Sequence, residues 1–279
     1  MGILPVIMIG DVVGGSGLEA LERRLPALIK KYSAVFTVVN GENSAEGFGM
    51  TRECLNRILA AGADAVTSGN HVWEKRDFWQ VLEEKGPILR PANYTAGTPG
   101  QAGTPGLAGI PGQGCSRFEK TLSDGAQVSF LVINLQGREF MNPIDCPFRC
   151  FDALEIKPDD IALVDFHAES CREKEALGFY LDGRAAVVAG THTHVQTADE
   201  RILQEGSAYI SDLGMTGITG GVIGMDPKIC IDRARSQVLY RMETAAGGEG
   251  RNAAVQGIIA EIDSDTRKAV SIKRINEKA

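Results

Sequence analysis

Five apolar runs in this chain end in short polar motifs, and all four histidines lie in those motifs. The motifs are Gly10-Asp11, Gly41-Glu42-Asn43, Gly69-Asn70-His71, Asp165-Phe166-His167 and Gly190-Thr191-His192-Thr193-His194. Oxygen and imidazole donors therefore recur at the ends of successive strand-like segments. On an α/β scaffold this placement assembles a polar metal site, so the pattern predicts a metal-binding protein.

Strand-like apolar runs alternate with helical segments along most of the chain. The predicted strands are residues 3–9, 34–40, 63–68, 126–134, 160–166 and 185–190, and the predicted helices are 17–31, 51–62, 76–85, 170–182 and 228–241. Pro26 predicts a kink or break in the first helix. Residues 254–262 and 268–275 alternate like an antiparallel hairpin. The pattern predicts an α/β fold with a covered sheet and, because it marks no boundary, a single domain over residues 1–279.

Two segments rich in glycine interrupt this alternation. Residues 91–114 combine glycine with proline, and residues 212–224 contain five glycines. We expect both to be irregular loops, and their composition leaves open a gating role at a nearby pocket.

Net charge and cysteine usage restrict the class of protein. The formal net charge of −7 disfavours an extended nucleic-acid surface, although metal ions could still make a local cationic site for a small anionic substrate. The six cysteines form no C-x-x-C pair, and the N-terminal segment lacks a basic region and a cleavage site. No apolar run is long enough to span a bilayer. We therefore expect a cytoplasmic protein without a membrane partner.

One grouping of cysteines leaves a structural zinc site open as an alternative. Cys146 and Cys150 are separated by three residues, and so are His167 and Cys171. Cysteine and histidine at short spacings can bind structural zinc. The segment between the two pairs is long, and His167 has a better use among the polar motifs, so this is the weaker interpretation.

His192 and His194 carry the sharpest signal for a metal. In extended chain, residues i and i+2 project from the same face, so both imidazoles can reach one metal cluster. The other motifs are weaker when taken alone. Asp11 could be a turn or cap residue, and Asn70-His71 could be ordinary loop chemistry.

Taken together, the motifs supply seven candidate ligands and one spare histidine, His71. The candidate ligands, none of them a thiolate, are Asp11, Glu42, Asn43, Asn70, His167, His192 and His194. Mixed oxygen and imidazole ligation suits Mn, Fe, Zn or similar ions, of which we expect Fe or Mn. Seven donors are too many for one ion, so we expect two divalent or trivalent metal ions, roughly 3.5–4 Å apart.

The order of these motifs, GD, GEN, GNH, H and GTHTH, resembles that of the calcineurin-like metallophosphoesterase superfamily. More closely, IGDVVG, NGENSAEGFG, TSGNHVW, VDFHAE and AGTHTHVQTAD resemble the bacterial YmdB-like 2′,3′-cyclic-nucleotide phosphodiesterases. The resemblance runs from about residue 6 to the glycine-rich loop near residue 225, which is most of the chain.

This resemblance implies a four-layer α/β/β/α sandwich with metals at the strand ends. It assigns the first metal to Asp11, Glu42, Asn43 and His194, and the second to the bridging Glu42 with Asn70, His167 and His192. His71 becomes the proton donor. The wider superfamily usually bridges with Asp and has an acidic residue after GNH. Glu42 and Val72 depart from that pattern in the manner of the narrower family.

The implied reaction is hydrolysis of a cyclic nucleotide, with 2′,3′-cyclic substrates favoured. A metal-bridging hydroxide would attack phosphorus, and His71 would protonate the departing ribose oxygen. Two alternatives stay open: a phosphomonoesterase or phosphoprotein phosphatase on the same binuclear site, and a nucleotide-binding regulator of RNA turnover with weak activity. The expected partner is a small cyclic nucleotide or phosphoester, and a homo-oligomer is compatible with the sequence.

Overall fold

Two β-sheets form the centre of the molecule. The computed structural model describes residues 2–94, 109–122, 124–247 and 252–279. In these ranges the first sheet contains β1 Ile3–Ile9, β2 Asp11–Val12, β3 Phe36–Asn40, β4 Ala65–Thr67, β11 Met215–Ile218, β12 Ala253–Asp263 and β13 Ala269–Lys278. The second contains β5 Cys115–Thr121, β6 Gln127–Gln136, β7 Asp160–His167, β8 Val187–Thr191, β9 Arg201–Ile202 and β10 Ala208–Ile210. The strand orders are β2-β11-β12-β1-β3-β4, with β13 beside β12, and β5-β6-β7-β8-β10-β9.

Five helices cover the outer faces of the sheets: α1 Gly14–Tyr32, α2 Arg52–Ala60, α3 Phe78–Glu83, α4 Pro147–Asp152 and α5 Cys171–Tyr180. A sixth helix in the described ranges, α6 Pro227–Ser236, has no buried residue. Side chains alternate along each strand, so β1 sends Ile7 and Ile9 into a core shared with α1, α2 and α3, and Val6 and Met8 into a core between the sheets. A third core joins the second sheet to α4 and α5. The expected four-layer α/β/β/α sandwich is confirmed.

Parallel pairing brings the carboxyl ends of several strands to one edge of each sheet. β1, β3 and β4 run parallel to one another, as do β6, β7 and β8. A buried hydrogen bond from Asn40 Nδ2 to Asp165 Oδ2, 2.9 Å long, links the carboxyl ends of the two sets. Ligands of open α/β sheets bind at this end of the strands, so the layers meet where the polar motifs stand.

Short sequence signals correctly predict the ends of helix α2 and the C-terminal hairpin. The Thr51 hydroxyl caps α2 by accepting from the Cys54 amide at 3.2 Å, and Gly62 takes the positive φ of 112° that ends the turn. The C-terminal hairpin forms as expected from β12 and β13. Residues 95–108 of the expected loop 91–114 lie outside the described residues.

Three expectations about boundaries are wrong. Helix α1 begins at Gly14 and continues through Pro26, which lies on its exposed face while Leu25 and Leu28 are buried against the sheet. Water can solvate the carbonyl that proline leaves without a donor, so packing keeps the helix continuous. The expected loop 212–224 contains strand β11, because Met215 and Gly217 pair with distant strands. Helix α6 stops at Ser236, where Gln237 turns to a φ of 60°.

None of the helices in the described ranges combines the length and the apolar character needed to cross a bilayer.

The core between the sheets predicts a large effect on stability at Phe130. Its ring stacks on Phe36 of the facing sheet with centroids 4.4 Å apart, and both rings are fully buried. Phe130→Ala should lower the free energy of unfolding by about 3–5 kcal/mol, measured by denaturant titration. Phe140→Ala is the matched control, because Phe140 is 87% exposed and should change stability by less than about 0.5 kcal/mol. Similar effects of the two changes would contradict the assigned core.

Candidate metal centre

The polar motifs converge where the carboxyl ends of the strands meet. Asp11 begins β2, Glu42 and Asn43 follow β3, and Asn70 follows β4. From the second sheet, His167 ends β7, and His192 and His194 follow β8. All seven predicted ligands therefore reach one region from two sheets.

A buried cluster of two carboxylates and one imidazole lies at the centre of this region. Ligand atoms of Asp11, Glu42 and His167 lie within 4.8 Å of one another. His167 Nε2 is 2.6 Å from Glu42 Oε2, and His167 Nδ1 is 3.9 Å from Asp11 Oδ1. The three side chains are fully buried, so their charges interact with little screening by water.

The remaining predicted ligands form two groups around this cluster. On one side, His167 Nε2 lies 3.1 Å from Asn70 Oδ1 and 3.0 Å from His192 Nδ1. On the other side, His194 Nε2 lies 3.0 Å from Asn43 Nδ2 and 3.6 Å from Asp11 Oδ1. Glu42 Oε2 lies 2.6 Å from His167 Nε2 of the first group, and the ligand atoms of Glu42 and Asp11 lie within 4.8 Å of each other, so Glu42 stands between the two groups.

Three oxygen atoms in this region suit a cation. Asp11 Oδ1, Glu42 Oε2 and Asn43 Oδ1 are buried and accept no hydrogen bond. A buried acceptor without a partner costs about 1–3 kcal/mol, and more when it is charged. Carboxylate and amide oxygens beside imidazole nitrogens are a donor set that first-row transition metals bind. The residues present therefore fit a metal ion.

The carboxylates and histidines adjust one another's protonation. Burial acts to raise the pKa of Asp11, but His194 Nε2, 3.6 Å from Asp11 Oδ1, and the charges of His194 and His167 outweigh burial and hold the pKa well below its usual range. Burial acts to lower the pKa of His194, yet Asp11 raises it to about 9. Burial, reinforced by the charge of His167, lowers the pKa of His192 to about 3. Bound metal would replace the positive charge that imidazolium groups otherwise supply to Asp11.

Beneath His167 lies a buried polar network that the sequence analysis did not identify. Asp165 accepts hydrogen bonds from Asn40 Nδ2, Thr67 Oγ1 and Thr191 Oγ1, the last at 2.7 Å. Thr191 Oγ1 in turn lies 2.9 Å from His167 Nδ1. Because the hydroxyl proton goes to Asp165, Thr191 can accept from Nδ1–H, which leaves Nε2 facing the cluster. Burial raises the pKa of Asp165 to about 6.

A second buried contact holds the loop that carries His192 and His194. Both residues have positive φ, 100° and 63°, so the segment is not extended and the reasoning from i and i+2 was wrong in its geometry. Asp212 Oδ2 accepts from the Thr193 amide at 3.1 Å and from the Thr193 hydroxyl at 2.8 Å. Lys174 Nζ, 2.7 Å away and almost fully buried, compensates the Asp212 charge. These contacts therefore hold His192 and His194 in backbone conformations with positive φ, which residues other than glycine rarely adopt.

His71 stands beside the cluster. Its backbone amide donates to Glu42 Oε1, and its ring meets the edge of Phe48 with centroids 5.1 Å apart. His71 Nδ1 lies 3.3 Å from Glu74 Oε1. The side chain is partly exposed and lines a cavity of about 420 Å³ together with His192 and His194. A group bound in this cavity would meet His71, His192 and His194.

The cysteine alternative fails on geometry. Among the described residues, the cluster of metal-binding groups is Asp11, Glu42 and His167, and it contains no cysteine. Cys146 precedes α4 and Cys171 begins α5, whereas His167 Nε2 faces Glu42. A zinc site built from Cys146, Cys150, Cys171 and His167 is therefore not supported.

Signals for the missed residues are present but ambiguous. Asp165 lies two residues before His167 in β7, where alternation points both side chains to the same face. Asp212 begins the glycine-rich segment that was expected to be a loop. Lys174 lies in the predicted helix 170–182, and a buried lysine has no local signature.

Gly69 of the GNH motif is required by close packing against His167. A Cβ at this position would lie 2.2 Å from His167 Cδ2 and 2.3 Å from Nε2. Gly69→Ala should therefore displace the imidazole and lower bound metal per chain at least about tenfold, measured by elemental analysis after dialysis. Gly86→Ala is the control, since a Cβ there meets no atom within 4 Å. Full metal content in the Gly69→Ala protein would contradict the placement of His167.

The ion pair between Lys174 and Asp212 predicts a non-additive pair of substitutions. Lys174→Met should cost about 3–5 kcal/mol of stability, because it leaves the Asp212 charge buried and unpaired. Lys174→Met/Asp212→Asn removes that charge and should recover part of the loss in denaturant titrations. A double variant that is less stable than the single variant would show that the pair does not have this role.

Known proteins resemble this chain over nearly its whole length. A 2′,3′-cyclic-nucleotide 2′-phosphodiesterase of Bacillus subtilis is 42% identical over 273 residues, which cover 97% of this chain and 96% of the relative. The crystal structure of a novel phosphatase from Mycoplasma pneumoniae superposes with a TM-score of 0.85 at 32% identity, covering 100% of this chain and 94% of the other.

A more distant structure shares the fold alone. The calcineurin-like phosphoesterase YfkN of Bacillus subtilis has a TM-score of 0.57 at 12% identity, covering 99% of this chain and 90% of that one. The family described as "YmdB-like protein" matches residues 7–275, which extends the resemblance past residue 225 through most of the C-terminal hairpin. The chain belongs to the YmdB-like protein family.

Proposed function

We propose that this protein is a binuclear metal-dependent phosphodiesterase that hydrolyses 2′,3′-cyclic nucleotides. The observation that carries the proposal is the buried cluster of Asp11, Glu42 and His167, in which one oxygen of each carboxylate, Asp11 Oδ1 and Glu42 Oε2, accepts no hydrogen bond. The relative that is 42% identical over 97% of the chain is described as a 2′,3′-cyclic-nucleotide 2′-phosphodiesterase, which supports the choice of substrate.

The two groups of side chains suggest how two ions would be held. Asp11, Asn43 and His194 would hold one ion, Asn70, His167 and His192 would hold the other, and Glu42 would bridge them. Fe or Mn suits this mixed donor set, with Zn as an alternative. Bound metal would supply an activated water and positive charge for the phosphate oxygens.

Among the side chains of the protein, His71 is the proposed proton donor. His71 lines the cavity beside the cluster, and its ring is held between Phe48 and Glu74. From this position His71 would donate a proton to the ribose oxygen that leaves phosphorus. Opening the 2′ bond joins a water oxygen to phosphorus, breaks the bond from phosphorus to O2′ and leaves a 3′-phosphate with a free 2′-hydroxyl.

A phosphomonoesterase reaction on the same centre is the second candidate. It is favoured by the Mycoplasma pneumoniae relative, which is described as a phosphatase. The alternative of a regulator with weak turnover is less well supported, because His71 lines one cavity together with the predicted donors Asn43, His192 and His194, beside the buried cluster.

The topology supports a single domain over residues 1–279. Strand β1 lies between β3 and β12, so the first sheet combines the two ends of the described chain. Helix α1 packs on β11 and β12 as well. A cut between two sequence-continuous domains would therefore divide one hydrogen-bonded sheet.

The assignment of His71 separates catalysis from metal binding. His71→Ala should keep both metals but lower kcat on 2′,3′-cyclic AMP by about 10²–10⁴-fold, because the alkoxide then leaves without a proton. On bis(p-nitrophenyl) phosphate, whose leaving group needs no proton, the loss should be less than about tenfold. Elemental analysis and steady-state kinetics check both statements.

His192→Ala is the matched comparison and should lower metal content and turnover together. A substrate panel of 2′,3′-cyclic, 3′,5′-cyclic and monoester phosphates should show the highest kcat/KM for the 2′,3′-cyclic compounds. Near-wild-type turnover of 2′,3′-cyclic AMP by His71→Ala would overturn its role as the acid.

A further inference from the structure

A second cavity adjoins the candidate metal centre. Its volume is about 610 Å³, and it shares two wall residues, Phe48 and Met242, with the cavity that holds His71. Small-molecule sites commonly measure about 300–1,000 Å³, so the second cavity can hold a group of nucleotide size. A molecule bound at the metal centre can therefore extend past Phe48 into this neighbouring space.

Two of the three cations that line the second cavity have no acidic partner among the described residues. Lys75 is paired with Glu46 at 3.3 Å. In contrast, Arg233 and Arg241 are exposed, and neither forms an ion pair with any residue in the described ranges. Glu243 is the other carboxylate of the lining. Two unpaired guanidinium groups in a chain with a net charge of −7 mark a local site for an anion, and planar arginine favours phosphate.

An unstacked aromatic ring completes the lining. Tyr240 is 44% exposed and contacts no other aromatic ring in the described part of the chain. Phe48 stands at the junction between the two cavities. Aromatic faces beside cations are the arrangement that binds single-stranded nucleotides, each base contributing about 1–3 kcal/mol by stacking.

We propose that the second cavity binds the nucleotide that precedes a terminal 2′,3′-cyclic phosphate, so that the preferred substrate is the 3′ end of an oligoribonucleotide. This inference rests on the proposed phosphodiesterase activity. A mononucleoside 2′,3′-cyclic phosphate has one phosphate, which the metal centre takes. Arg233 and Arg241 gain a partner only when a second phosphate follows on the 5′ side of the terminal ribose.

Only the cyclic phosphate reacts in this scheme. Water adds its oxygen to phosphorus, the bond from phosphorus to O2′ breaks, and O2′ takes the proton. The phosphodiester linkage between the two nucleotides stays intact, and its phosphate is the group that Arg233 and Arg241 bind. The second phosphate could also be a free 5′-phosphate on a mononucleotide, but Tyr240 and a cavity of about 610 Å³ favour a whole nucleotide with its base.

Kinetics with the full-length, metal-loaded protein distinguish these substrates. The panel is adenosine 2′,3′-cyclic phosphate, its 5′-phosphorylated form, and the dinucleotide ApA ending in a 2′,3′-cyclic phosphate. We expect kcat/KM for the dinucleotide to exceed that for the mononucleotide at least about tenfold, which is 1.4 kcal/mol. The 5′-phosphorylated compound should lie between them.

Substitutions in the second cavity test the assignment of residues. Arg233→Ala/Arg241→Ala should bring the ratio of dinucleotide to mononucleotide kcat/KM close to one. Tyr240→Ala should reduce that ratio while keeping the advantage of the 5′-phosphorylated compound. Arg235→Ala is the matched control, because Arg235 is an exposed arginine of α6 that does not line the cavity, and it should leave the ratio unchanged.

Each outcome decides one question. Equal kcat/KM for mononucleotide and dinucleotide would overturn the second subsite while leaving the phosphodiesterase activity in place. A 5′-phosphorylated mononucleotide that matches the dinucleotide would overturn the oligonucleotide assignment. A ratio that falls as far in Arg235→Ala as in the double variant would overturn the role of Arg233 and Arg241. Failure to hydrolyse any 2′,3′-cyclic compound would overturn the proposed function itself.

Discussion

The burial of two carboxylates where the two sheets meet is the constraint on which the structure depends. Asp11 and Glu42 lie at strand ends with no exposure to solvent, so their charges need nearby cations and donors. His167 and His194 of the second sheet provide the positive charge, and the inter-sheet core brings them within range. The packing of the two sheets and the electrostatic stabilisation of the buried carboxylates therefore depend on each other.

Buried polar side chains next to the site hold its histidines in position. Asp165 and Thr191 orient His167 from below, and Asp212 fixes the loop of His192 and His194. These contacts join α5, β7 and β8 to a cluster that belongs mainly to the first sheet. Loss of either support would disturb several donors at once, because each histidine lies close to an atom of another predicted ligand.

Local patterns predict most strands, the capped helix α2 and the convergence of the donors. These features depend on residues that are close together in the sequence, such as an apolar run followed by a polar strand end. Contacts between distant residues decide the rest. Pairing with β2 and β12 makes a strand of Met215–Ile218 inside a glycine-rich segment. The left-handed conformations of His192 and His194 depend on Asp212 and Lys174, which no motif spacing connects to them.

The order of the strands also governs when the centre can form during synthesis. Ile3 pairs with Asp263, so the strand that leads to Asp11 lacks one neighbour until β12 has been made. Closing so large a loop is entropically costly and makes folding slow compared with that of a helical protein of similar size. A nascent chain thus exposes its carboxylates before it can enclose them. We therefore expect metal capture to follow completion of the last strands and not synthesis of the predicted ligands.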